Sequence, residues 1–253
     1  MKQLAITALL ALTGISANAQ IEEYRQVTPF TAMEVGNGIE VIFTQSDAPS
    51  LRVESDNEAY LENIVTEVKG NTLNIHMDGD GEIKRGLGTA RVYVSQKNVT
   101  AFKAATGATV KITGKLTADT VTIKLATGSA FTGMLETKTA CVKAASGSVF
   151  RGNVVTAAFD GTVSGGATIK VIGTSGETNV VCNGGVLQAG KLISDKANII
   201  ASNAGSAYVN AVTAIRVNAD SSSSVTYYGE PGQVDLSTNT YAVKKDSHKF
   251  ALN

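Results

Sequence analysis

Thr106-Gly107-Ala108, Thr127-Gly128-Ser129, Ser146-Gly147-Ser148, Ser164-Gly165-Gly166, Asn183-Gly184-Gly185 and Ala204-Gly205-Ser206 are six near-copies of one phrase. Ser222-Ser223-Ser224 keeps the phase without the glycine. From one central residue to the next the steps are 21, 19, 18, 19, 21 and 18 residues. A near-constant period of this length marks a repeat architecture. Each unit cannot bury its apolar face alone, and stacking its neighbours makes one continuous core.

Between the phrases the chain alternates apolar and polar residues. Val121, Ile123 and Leu125 flank Thr122 and Lys124; Ile169 and Val171 flank Lys170; Ile215 and Val217 flank Arg216. Alternation at period two predicts strands with one buried and one wet face. Glycines at 114, 133, 152 and 173 divide each period into short strands. The reading is all-β: a right-handed parallel β-solenoid of about seven short turns over residues 101–232. Its corners need glycine for positive φ and a neighbouring Ser or Thr hydroxyl to bond the turn backbone. The six central residues, 107, 128, 147, 165, 184 and 205, are expected in one column at ~4.8 Å per turn. A β-sandwich with similar strand spacing would not require its corner phrases to stay in phase.

The chain opens on Lys2, an apolar run from Leu4 to Ile15 and Ala17-Asn18-Ala19 before Gln20. That pattern reads as a signal peptide over residues 1–19, so the protein is expected to be exported to the periplasm or cell surface. Nothing later reaches the ~18 consecutive apolar residues of a spanning helix. Residues 20–100 hold 13 Asp/Glu against 7 Lys/Arg, net −6; residues 101–253 hold 9 against 14, net +5. The split supports a smaller β-rich N-terminal module over 20–100 ahead of the solenoid. Its cations are spaced singly, which argues against nucleic acid as a partner. Residues 233–253 read as a C-terminal cap or tail.

The N-terminal module is expected to carry strands at 30–35, 38–44, 50–53, 64–69, 72–77 and 90–95, with a helical stretch from about Asn57 to Glu62. Here the order of phrases resembles a known family. Val35-Gly36-Asn37-Gly38-Ile39-Glu40-Val41, Gln45, Leu51-Arg52-Val53-Glu54, Asn57 to Leu61 and Thr72-Leu73-Asn74-Ile75 resemble the opening of the bacterial "putative auto-transporter adhesin, head GIN domain" family. Val225-Thr226-Tyr227-Tyr228-Gly229-Glu230-Pro231 resembles its ending. The resemblance covers roughly residues 28–232 and implies an adhesin. It brings no catalytic residues with it.

Few residues invite chemistry. Cys141 and Cys182 lie about two turns apart and at different phases, so a disulfide, which needs Cα atoms within ~7 Å, is not expected. His76-Met77-Asp78-Gly79-Asp80-Gly81-Glu82 carries alternating acids but lacks the remaining ligands of a calcium loop, and reads as a solvated turn. Asp119, Asp160, Asp195 and Asp220 recur at different phases and form no evident pair; Asp160 with Lys124 or Lys138 is the combination an enzyme would need. Gly161 to Gly166 lacks the Lys-Ser/Thr and the helix of a phosphate loop. No pattern calls for a catalytic residue, a metal or another cofactor. Tyr208, Tyr227, Tyr228 and Tyr241 cluster late in the chain. Tyr208, Tyr227 and Tyr228 are the candidate contact surface, because aromatic faces bind sugars and proteins; equally, Tyr227 or Tyr228 could close the end of the core. The function expected is an exported, non-catalytic, adhesin-like module for a cell-envelope polysaccharide or protein. The rival is a carbohydrate-active β-helix enzyme, a polysaccharide lyase or hydrolase.

Overall fold

The computed structural model describes residues 20–78, 89–237 and 240–247. The acidic run from Gly79 to Glu82 and the first 19 residues lie outside them.

Five long strands build the repeat: β9 (Thr109–Leu125), β10 (Ala130–Ala144), β11 (Val149–Ser164), β12 (Thr168–Asn183) and β13 (Val186–Ser202), followed by β14 (Ser206–Ala219). Each pairs in parallel with the next. The register advances one turn at a time, so Phe131 lies beside Val110 and Phe150, and Phe150 beside Ile169. This is the predicted β-solenoid. Its interior is narrow and apolar. Phe43, Phe102, Phe131 and Phe150 run through it with centroid separations of 5.4, 5.6 and 5.7 Å, the first two contacts edge-on and the third stacked. Edge-to-face and offset contacts are the ones the ring quadrupole favours.

The corners explain the repeated phrase. Thr106 and Gly107 have φ of 52° and 74°, and Ala108 N–H donates to the Ala105 carbonyl. Two successive positive φ values inside an i-to-i+3 turn define type I′. The same turn recurs at Thr127-Gly128, Ser146-Gly147, Gly165-Gly166 and Asn203-Ala204. Gly107 N–H donates to Thr127 O, Gly128 to Ser146 O, and Gly147 to Gly165 O, so the corners form a hydrogen-bonded column. One correction applies to its phase. Val149 pairs with Thr168 and Val186 with Ser206, which puts Gly166 and Ala204, not Gly165 and Gly205, beneath Gly147 and Gly184. At 165 glycine occupies the first turn position, which Thr, Ser or Asn fills elsewhere, so spacing glycines by type slips one residue.

The serines that follow the turn at 129 and 148 point inward. Ser129 Oγ donates to the Ala104 carbonyl at 2.8 Å and accepts from Ala126 N–H, and Ser148 Oγ donates to the Leu125 carbonyl. Both serines are fully buried. A second inward hydroxyl column, Thr137, Thr156, Ser175 and Ser194, follows the register at another bend. Thr156 Oγ1 lies 3.0 Å from the Lys138 carbonyl and 2.8 Å from that of Ala158. These hydroxyls add donors to carbonyls at the bend, where buried polar groups need hydrogen-bond partners.

The N-terminal module joins this ladder. Its elements are β1 (Ile21–Tyr24), β2 (Ala32–Val35), β3 (Glu40–Gln45), β4 (Ser50–Ser55), α1 (Glu58–Glu62, capped by the Asn57 side chain), β5 (Ile64–Lys69), β6 (Thr72–Met77), β7 (Ala90–Gln96) and β8 (Ala101–Ala104). β2 pairs in parallel with both β6 and β8, and β3 with both β7 and β9. The β2–β3 turn is therefore clamped between the segment that follows it and the first solenoid repeat. Its Asn37-Gly38 corner is another type I′ turn, and Gly38 N–H donates to Thr106 O at 2.9 Å, so it heads the corner column. β4 on β7, β1 on β4, and β5 on β6 pair antiparallel and end the parallel stack. Such an arrangement covers an edge that would otherwise invite another chain. At the far end β15 (Ser224–Tyr228) pairs with β14, β16 (Gln233–Ser237) also with β14, and β17 (Val243–Lys245) with β15.

Candidate functional site

A bulge lies beside a groove where two of the sequence-predicted aromatics, Tyr208 and Tyr228, converge. In β13, three residues from Gly190 to Leu192 lie between Ala189 and Ile193, whose β14 partners Val209 and Asn210 are consecutive. On the other side Lys170 and Ile172 face Gln188 and Lys191, again with one extra residue in β13. A bulge bends its strand and re-aims side chains. Asn210 Nδ2 reaches the Gly190 carbonyl and tends the backbone left unpaired.

The groove beside the bulge has a volume of about 360 Å³. Val171, Ile172, Tyr208, Tyr228, Lys170 and Lys191 are among the residues that line it. Tyr208 is 41% exposed and Tyr228 only 9%. Burial, then Asp246 and Tyr208, push the Tyr228 phenol up from its ordinary value. Lys170 and Lys191 are exposed, and neither has an acidic partner within ion-pair distance among the described residues. Apolar walls with a few polar groups at the rim are the usual make-up of a ligand cleft.

Of the three tyrosines, the fold brings Tyr208 and Tyr228 together and separates Tyr227. Tyr227 pairs with Val209 and belongs to the hydrophobic core at 8% exposure. Tyr241 is fully exposed elsewhere. Lys170, Ile172 and Lys191 were not singled out in the sequence. The long step of 21 residues from Gly184 to Gly205 was the available signal, since extra residues in one turn must leave the ladder as a bulge. The other 21-residue step, from Gly107 to Gly128, likewise matches a bulge, where Lys111 and Lys115 face Thr132 and Met134.

The carboxylates do not converge. Asp119 pairs with Lys138 at 3.0 Å, both well exposed. Asp160 accepts from Asn179 Nδ2, which lies in a ladder with Asn198, and not from Lys124 or Lys138. Asp119 and Asp195 share a bend but lie four turns apart by register. Asp220 serves a corner: Ser223 and Ser222 hydroxyls and Asn203 N–H all donate to its carboxylate. Among the described residues no cluster of three or more His, Cys, Asp or Glu could hold a metal. Cys141 and Cys182 are both free thiols.

A family model matches residues 29–231, and its description is "Putative auto-transporter adhesin, head GIN domain". The chain belongs to this family. Solved structures of the same fold include a putative adhesin from Parabacteroides merdae, 15% identical, with a TM-score of 0.79 over 90% of this chain and 96% of that one. A putative lipid binding protein from Parabacteroides distasonis is 17% identical, with a TM-score of 0.77 over 90% and 97%. A putative adhesin from the same organism is 16% identical, also with a TM-score of 0.77 over 90% and 97%. Among curated proteins, none matches. The family span of the GIN-domain model runs from just before β2 to just after β15, so it takes in both the clamped N-terminal turn and the tyrosine groove. Among the described residues no helix is long and apolar enough to cross a membrane.

Proposed function

We propose that this GIN-domain protein is an exported, adhesin-like module that holds a cell-envelope polysaccharide or protein without cleaving it. The observation that carries this reading is the bulge groove: an exposed Tyr208 ring with Tyr228 in the same lining, and with Lys170 and Lys191 there, neither ion-paired among the described residues. A sugar ring can stack on an exposed tyrosine, and tyrosine is equally a common anchor for a protein partner. Binding of this kind needs a preformed face and no converging acid and base. The family described as adhesins supports the role, and the signal-like first 19 residues support export. The rival, a polysaccharide lyase or hydrolase, needs two ionisable groups within reach of one bond; the carboxylates instead pair with Lys138 or asparagine or tie a corner.

The test is a glycan array and an envelope pull-down with the purified protein and its Tyr208→Ala variant, alongside assays for new reducing or unsaturated ends. Retention of an envelope component that Tyr208→Ala loses supports the reading. Depolymerisation that survives purification, and that Asp160→Asn abolishes with the fold intact, replaces it with the enzyme.

A further inference from the structure

The sign of charge is distributed unevenly around the solenoid. Away from the type I′ corners, cations in adjacent turns meet acids: Lys115 with Glu136, Lys138 with Asp119, and Glu177 beside Lys196 in the register. On the two strand segments that flank the corners the pattern is different. Lys103, Lys124 and Lys143 stand in direct register on successive turns before the corner. Lys111, Arg151 and Lys170 stand in one column after it, with Thr132 between the first two. Only the first turn supplies acids here: Glu34 pairs with Lys103 and Glu40 with Lys111. Lys124, Lys143 and Arg151 have no ion-pair partner among the described residues, and all three are exposed.

Like charges directly opposite on neighbouring strands oppose pairing. Adjacent turns are ~4.8 Å apart, so Lys103, Lys124 and Lys143 place three ammonium stems along about 10 Å of the axis. The fold tolerates this although acids meet cations at the other bends. Beside these lysines runs a shallow groove of about 270 Å³, left by the small side chains of Ala126, Ala144 and Ala145.

We propose that the column of Lys103, Lys124 and Lys143, beside this groove, binds a linear acidic polysaccharide laid along the solenoid axis. Its carboxylates would recur at about the turn spacing, as they do in a chain with one acid per sugar. The shape of the patch selects a thread over a plane. The next outward column on the same side, two residues before the lysines, holds Thr122, Cys141 and Asp160, so the cationic strip is one column wide and bounded by an acid. A membrane surface would instead reward a broad cationic face. This site does not use Tyr208, so it stands or falls separately from the tyrosine groove.

The experiment measures binding of the purified protein to sodium polygalacturonate, to galacturonate monomer and to vesicles of 30% phosphatidylglycerol in phosphatidylcholine, at two salt concentrations. The probes are repeated with Lys103→Gln/Lys124→Gln/Lys143→Gln and with Lys115→Gln, a cation away from this column. Surface substitutions of this kind leave the fold intact, which a thermal melt verifies. The expected result is salt-sensitive binding to the polymer, weakened about tenfold or more in the triple variant as three cation contacts are lost. Binding is unchanged in Lys115→Gln, and the monomer does not compete. Polymer binding that the triple variant retains overturns the proposal. So does binding to the vesicles alone, or to none of the probes.

Discussion

Ser129 Oγ donates a hydrogen bond to the Ala104 carbonyl one turn away, 2.8 Å distant and fully buried. The hydroxyl of the corner phrase is thus a strut between turns. Its removal takes away one of two donors to that carbonyl, the other being Ala126 N–H at 3.0 Å, which costs about 0.5–1.5 kcal/mol. Ser129→Ala should lower stability by that amount in chemical denaturation. Ser148→Ala should cost less, since its bond to the Leu125 carbonyl is 3.2 Å. A neutral Ser129→Ala would show that the corner does not depend on the strut.

Glycines in the same chain should differ sharply in tolerance. Gly147 has φ of +72° with open space where a Cβ would go. Gly147→Ala meets only the left-handed backbone penalty, about 1–2 kcal/mol, and Ala204 already occupies that corner position with φ of 61°. Gly173 has φ of +118°, and a Cβ there would stand 2.1 Å from the Val154 carbonyl oxygen. Gly173→Ala should cost more than about 4 kcal/mol or prevent folding. Equal melting temperatures for the two variants would refute the stacking geometry.

The adjacent tyrosines should separate stability from binding. Tyr227→Ala removes a core ring and should destabilise by about 3 kcal/mol or more. Tyr208→Ala should change stability by less than about 1 kcal/mol while removing retention of the envelope ligand. A Tyr227→Ala protein that melts like the parent would place that ring outside the core.

The Asp220 carboxyl is held down to about 2, first by the Ser223 hydroxyl, then by Asn203 N–H and the Ser222 hydroxyl. An aspartate in an unfolded chain titrates near ~3.9. Its folded value is the lower one, so its contribution is present above ~4 and is lost as pH falls from there through about 2. A carboxyl carbon NMR titration should find its midpoint well below those of ordinary aspartates, and Ser223→Ala should raise it. An ordinary midpoint in the parent would mean that the corner network does not form.

Both thiols should remain free. Burial pushes Cys182 up to about 12, and burial followed by Asp160 raises Cys141 as well. The thiolate is the reacting species. Alkylation of the folded protein at neutral pH should therefore be slow, slowest at Cys182, while unfolding without reductant should expose two alkylatable cysteines. A bridged 141–182 peptide in mass spectrometry would contradict the register, in which Cys141 faces Asp160 and Cys182 faces Val163.

What the sequence determined alone is the architecture. Corner residues must recur because a type I′ turn demands positive φ at each repeat, and inward positions must alternate because strand side chains do. Both are local requirements, legible in Thr127-Gly128-Ser129 or in Val121, Ile123 and Leu125 without knowing what lies beside them. The N-terminal strands and the Asn57-capped helix were legible for the same reason. Tertiary structure decided what depends on neighbours distant in sequence. Asn37-Gly38 heads the corner column only because the chain leaves after β3, builds β4 to β7, and returns to lay β8 against β2. Parallel stacking across turns brings Lys124 beside Lys143 and Tyr208 beside Tyr228. It also buries Tyr227 one residue away, because side chains on a strand take opposite faces and only packing tells which face becomes the core.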